Sequence, residues 1–226
     1  MSISKQKDLE NILAGVVDVL SYTGPKSAAK SGVSDFLHCA YELFKSWEGK
    51  FSPILTGVYD QDTFWALFED FLRECCNGSW SQMSRHKNEI ADYKESVFSS
   101  VQRLLSAGTS LGPVVEIVKE VTDKSSSSKI KGLSPFILSG ILFASNEDNF
   151  MILDKPVLEY FGLKDFKQAL TEYKNIIDIS REYSKQYNLS MWYINKAYGI
   201  LSNGGVLKVR KLCGNCTFMN SPYEFL

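Results

Sequence analysis

Three short stretches of this sequence hold residue types at spacings that chemistry can use. The first is "KIKGLSP", Lys129 to Pro135, where two lysines stand close to a glycine just before an apolar run. A glycine there lets the backbone turn left-handed or approach a ligand closely. The amides of such a turn, with the N-terminus of the next helix, can bind a phosphate oxygen. Lys129, Lys131, Gly132 and Ser134 are therefore candidate binding residues, against the plainer role of a tight turn before a helix. The second stretch is "ILDKPV", in which Asp154 stands two residues before Pro156. As an N-cap its carboxylate accepts an amide of the first helical turn, and the proline suits that turn. The same carboxylate can stabilise a positive charge that develops beside it, provided it stays ionised. The third stretch is "NLSMWYINKAYGIL", where Trp192 and Tyr193 are candidate walls of a pocket for a flat ring. Tyr160 and Phe161 follow the aspartate, and core packing is the plainer role for all four.

Other chemistry is weakly represented. "CGNC", Cys213 to Cys216, has the spacing of half a zinc site, but no second pair follows. The two histidines, His38 and His86, are distant in sequence, so no metal site is expected and free thiols are the default for the tail. "NED", Asn146 to Asp148, lacks the spread-out acidic partners of a two-metal nuclease. No phosphate-cradling nucleotide loop, serine nucleophile elbow or paired-histidine motif occurs, and no cofactor is implied.

These residues must be positioned by helices. Apolar periodicity predicts helices over Leu9 to Leu20, from Ser34 onward, over "DTFWALFEDFLREC" opened by Asp62, and over Met83 to Leu105. Further helices are expected over Val114 to Val121, Pro135 to Ala144, Pro156 to Phe161, Phe166 to Tyr187 and Met191 to Leu201. "GKFSPILTGVYD" reads as loop, and "GVLKVRKLC" is the best strand candidate. The chain is thus mainly α, a helical bundle. The serine run Ser125 to Ser128 is the clearest internal boundary. It separates an N-terminal helical region, 1–124, from a second region, 125–226, that ends in the C-terminal tail; the two can equally be lobes of one domain.

With 226 residues, 44% of them hydrophobic, the chain is long enough for a sizeable core. A net charge of -1 argues against a strongly basic, nonspecific nucleic-acid binder, though a local basic face remains compatible with it. No signal-peptide pattern and no membrane-spanning apolar run is present, so a cytoplasmic location without membrane contact is expected. The sequons at Asn77, Asn188 and Asn215 are then incidental. An odd number of cysteines, five, with Cys75 next to Cys76, does not suggest a disulfide framework.

From Lys129 to about Leu201 the chain resembles the helix-hairpin-helix DNA glycosylase superfamily. It is most similar to degenerate members found in restriction systems, including domains fused to McrB-type GTPases. The resemblance lies in the "IKGL" turn, the "ILDKPV" helix start and the later Trp-bearing helix. It implies a helix-hairpin-helix glycosylase-like core, with the hairpin on a DNA phosphate and Asp154 beside the sugar of an extruded base. Two departures matter. Ser134 replaces the second hairpin glycine and Pro135 removes an amide donor. Phe136 stands where bifunctional members carry their Schiff-base lysine, so an enzyme of this kind would be monofunctional.

The function expected is a noncatalytic DNA-binding module in DNA restriction, defence or repair, with a restriction GTPase or nuclease subunit as a partner. The alternative is a monofunctional DNA N-glycosylase that removes a modified or mismatched base. A helical protein-interaction module, in which the hairpin is a relic, is the more distant third.

Overall fold

The structure, a computed structural model, describes residues 3–26, 28–74, 89–207 and 223–226. The helical periodicity of the sequence becomes α1 (Ile3–Leu20), α2 (Ala29–Lys45), a 3-10 turn (Ser52–Thr56) and α3 (Gln61–Glu74). Next come α4 (Lys94–Ser106), α5 (Leu111–Thr122), α6 (Pro135–Ser145) and α7 (Lys155–Phe161). The chain continues through α8 (Phe166–Thr171), α9 (Tyr173–Tyr187) and α10 (Met191–Ser202). Two short strands, β1 (Val206–Leu207) and β2 (Tyr223–Glu224), pair antiparallel, with Val206 opposite Glu224. The fold is mainly α-helical with little strand, and no helix among the described residues is long and apolar enough to cross a membrane.

Several boundaries differ from the sequence expectation, each for a local reason. α2 begins at Ala29 rather than near Ser34, which is a buried helical position; no side chain caps its start. α3 is capped by Asp60, whose carboxylate accepts the Thr63 amide at 2.8 Å, so Asp62 lies inside the first turn. Within "GKFSPILTGVYD" the residues Ser52–Thr56 wind into a 3-10 turn because Ile54 is buried. The expected helix through Leu105 is interrupted by a turn at Asp92 and Tyr93, and its first residues, 83–88, lie outside the described residues. The helix expected from Phe166 to Tyr187 is two helices, broken at Glu172. The break frees Tyr173 to turn inward, where its buried hydroxyl donates to the Met151 carbonyl at 2.7 Å and accepts the Met151 amide. Cys39 in α2 is disulfide-bonded, a departure from the expected absence of disulfides.

The chain divides into two compact units, neither continuous in sequence. The first comprises Met1–Ser46, Asp154–Lys164 and Asp178–Leu226; the second comprises Trp47–Leu153 and Asp165–Ile177. The serine run lies inside the second unit, and α9 contributes its first five residues to the second unit and the rest to the first.

Each unit is organised around a helix buried on nearly every side, the pattern of a core element rather than a surface one. In the second unit that helix is α6, buried from Ile137 through Ala144 and packed on α4 and α5. The rings of Trp47, Phe51, Phe64, Phe68 and Phe71 fill the same unit, with Phe71 edge-on to both Trp47 and Phe51. In the first unit the central helix is α10, packed on α1 and α7. From Met191 to Ile200 only Lys196 and Gly199 keep partial exposure. α1 buries Leu9, Ile12, Leu13 and Val16, a stripe at helical spacing.

Candidate functional site

The turn predicted to bind phosphate connects α5 to α6 in the second unit. Asp123 ends α5 with its carboxylate accepting the Ser125 amide and hydroxyl, which holds it below the usual carboxylate range. The Ile130 amide returns to the Val121 carbonyl at 2.9 Å, and the Leu133 amide closes on Ile130 at 3.2 Å. Between them Gly132 takes φ +84°, the left-handed conformation that a side chain disfavours. Ser134 is the N-cap of α6 and accepts from the Ile137 amide, with Pro135 in the first turn. The amides of Ser134 and Phe136 have no acceptor among the described residues.

The lysines are less available than the sequence suggests. Lys131 is exposed but paired with Glu89 at 2.6 Å, and Lys129 is half-buried near Asp123. Burial of α6 explains why the turn is well formed: the helix must enter the core at one angle, and the turn supplies it. The hairpin's charge is largely balanced within its own unit.

Asp154, Trp192 and Tyr193 fall in the first unit. Asp154 is the N-cap of α7, extended at φ -113° and ψ 173°, and accepts the Val157 amide at 3.1 Å. Pro156 occupies the first turn, where its missing amide costs nothing. Only part of Asp154 reaches the surface, and burial pushes its carboxyl up to about 6. Opposing that rise are the Val157 amide, the Lys196 ammonium and a hydrogen bond from the Asn195 side chain. An ordinary surface cap has no such surroundings. At neutral pH this carboxyl is mostly ionised, yet it sits within about a pH unit of its midpoint, the range suited to acid–base or electrostatic work.

Asn195 and Lys196 were not singled out from the sequence. One signal was available: Asn195 is a lone amide in the run "MWYINKAYGIL", and a buried amide needs a partner. Helical spacing does the rest. Lys196, one turn beyond Trp192, lies over its indole at 4.9 Å from the ring centroid, a cation–π contact.

Trp192 and Tyr193 are both buried. The two rings meet edge-on at 5.1 Å, and Tyr41 of α2 packs on both, at 5.7 Å from Trp192 and 5.2 Å from Tyr193. They act as a packed aromatic wall beside the turn that carries Asn195. Tyr160 is core: its hydroxyl bonds that of Tyr183 at 3.0 Å, and its ring lies 4.7 Å from Tyr198. Among the described residues no group of three or more His, Cys, Asp or Glu side chains is arranged to hold a metal ion. His86, Cys213 and Cys216 lie outside those residues, and Asp148 is exposed on the turn after α6.

No protein-family model matches the chain, and neither a curated protein nor a solved structure matches it. The helix-hairpin-helix resemblance is therefore carried by its motif residues alone.

Proposed function

We propose that this chain is a DNA-binding module with a degenerate helix-hairpin-helix core, acting in DNA restriction, defence or repair without breaking bonds itself. The observation that supports it most is the turn into α6: Gly132 left-handed, with the Ser134 and Phe136 amides lacking acceptors at the start of an eleven-residue buried helix. Unpaired amides at a helix start favour an anion, because the helix dipole and the donors act together. A phosphate there would also compete with Glu89 for Lys131. The near-neutral chain and the balanced hairpin imply few phosphate contacts, so binding is modest and depends on a partner such as a restriction GTPase or nuclease subunit.

Fluorescence anisotropy with duplexes carrying plain, methylated or mismatched bases, titrated with salt, tests this. Binding should weaken as salt rises, and Lys129→Ala or Lys131→Ala should each lower the log–log salt slope by about one. No binding even at low salt would sink the proposal.

A second reading, a monofunctional DNA N-glycosylase, is favoured by one specific observation: Asp154 is a partly buried carboxyl that accepts the Val157 amide at the head of α7, and burial raises it toward neutrality. An ionised carboxylate in that setting can stabilise the cation that forms on a sugar as its base leaves. Abasic-site formation that disappears in Asp154→Asn would establish it, and unchanged formation in that variant would remove Asp154 from the chemistry.

A further inference from the structure

Two ion pairs of the second unit differ in a way that bears on the turn into α6. Arg103 of α4 and Glu120 of α5 meet through two parallel hydrogen bonds, at 2.9 and 2.7 Å. That bidentate geometry suits a pair that holds one helix on another. Lys131 meets Glu89 through its ammonium alone, at 2.6 Å. An ammonium on a four-carbon stem is a point charge that can turn to another acceptor, and exposed pairs of this kind are held weakly.

The two partners are not equally fixed. Glu89 lies in a helical turn ahead of α4, next to Ile90, which is 1% exposed. The Tyr93 amide closes that turn on the Ile90 carbonyl at 2.9 Å. The Glu89 side chain is 33% exposed, whereas that of Lys131 is 62% exposed. The carboxylate is therefore the anchored partner, and the ammonium is the one a competing anion can reach. Just beyond Lys131 in the chain come the left-handed Gly132 and the Ser134 and Phe136 amides, which lack acceptors among the described residues.

We propose that Glu89 is a built-in competitor for the phosphate contact at this turn: it holds Lys131 in the unbound chain, and Lys131 reaches a DNA phosphate only by leaving it. The inference rests on the reading of the turn as a phosphate contact and adds how that contact is regulated. A ligand that needs a minor state binds more weakly in proportion to that state's population. An exposed lysine–carboxylate pair favours its closed form by about two- to fivefold, which leaves about a third to a sixth of the lysine open. Removing the competitor therefore tightens binding by about three- to sixfold.

The test is a double-mutant cycle on equilibrium binding, read by fluorescence anisotropy with a mismatch-bearing duplex at low salt. Glu89→Gln keeps the shape of the side chain and removes its charge, and should tighten binding by about three- to sixfold. The same substitution in a Lys131→Ala chain should change binding by less than about twofold, because no ammonium is left to release. Equal tightening in both backgrounds overturns the proposal, since Glu89 would then act by repelling DNA directly. No tightening in either overturns it as well. Inorganic tripolyphosphate, which has neither base nor sugar, is the second probe, read by isothermal titration calorimetry. If the duplex binds no chain of the cycle while tripolyphosphate shows the coupled gain, the DNA-binding reading falls and the competition stands. If DNA binds without the coupled gain, the DNA-binding reading stands and the competition falls. If neither probe binds, both fall.

Discussion

The two central helices, α6 and α10, are buried to a similar degree and built from opposite materials. α6 reads "PFILSGILFAS", and its one buried polar side chain inside the helix, Ser139, is a neutral hydroxyl that accepts the Leu153 amide at 2.9 Å. α10 reads "MWYINKAYGILS" and carries into the core an indole, two phenols and an amide. The rings around α6 are Phe and Trp packed on one another, whereas those around α10 include hydroxyls bonded in pairs, Tyr160 with Tyr183 and Tyr198 with Ser180. Apolar burial stabilises without specifying direction, while each buried polar group demands one partner in one geometry. The α6 unit therefore relies on apolar packing. The α10 unit buries polar groups that each hold a fixed partner.

The contrast can be broken most severely at Phe71, a fully buried ring edge-on to Trp47 and Phe51. Phe71→Ala should cost about 3–5 kcal/mol in denaturant unfolding, the transfer and cavity terms together. A much smaller loss would mean that the second unit is not organised by its rings.

Asp154→Asn should act in the other direction. Burial raises the folded-state pKa from 3.8 to about 6, so between those values the folded form binds more protons than the unfolded one. Stability from this group is then present at low pH and is lost as pH climbs through that window. Asparagine caps as well as aspartate and carries no charge to desolvate. The variant should be more stable by about 1–3 kcal/mol at pH 7, with no gain near pH 3. Equal stability of the two chains at both pH values would argue against a strained carboxyl. A gain at neutrality would show a residue retained at a cost to the fold, as expected of one with a task.

Tyr198→Phe should cost about 1–2 kcal/mol, because it strands the buried Ser180 hydroxyl that lies 2.9 Å from the Tyr198 oxygen. Adding Ser180→Ala should recover most of the loss; failure to recover would show that the pair contributes shape rather than hydrogen bonding.

The smallest effect is expected at Gly140 of α6. A Cβ there would meet the Phe71 ring at 3.6 Å, ordinary contact distance, and the backbone is helical. Gly140→Ala should stabilise by about 0.5–1 kcal/mol through helix propensity. A loss instead would reveal that the packing between α6 and Phe71 is tighter than its distances indicate.

Much of the helical layout was legible beforehand. Pro135 and Pro156 marked the starts of α6 and α7 to within a residue, since proline is tolerated only in a first turn. Asp154 was legible as a cap for the same reason. The capping role of Asp60 was missed because Asp62 offers the same chemistry two residues later, and only the turn geometry chooses between them. The break at Glu172 was invisible: the apolar period runs through it, and its cause is the inward Tyr173, whose partner Met151 is far back in sequence.

What the sequence determined by itself is therefore local: mainly helical structure, the glycine turn before α6, the aspartate at the head of α7 and the aromatic content of α10. These depend on residues within a few positions of one another, where backbone sterics and capping hydrogen bonds act. The tertiary structure alone decided that residues 154–164 join residues 1–46 and 178–226 in one unit, and that Lys131 is engaged by Glu89. It also decided that Asp154 is partly buried, which raises its carboxyl toward neutrality. Each of these is long-range, and burial raises its energetic stakes because a polar group removed from water must find a partner wherever the chain happens to bring one.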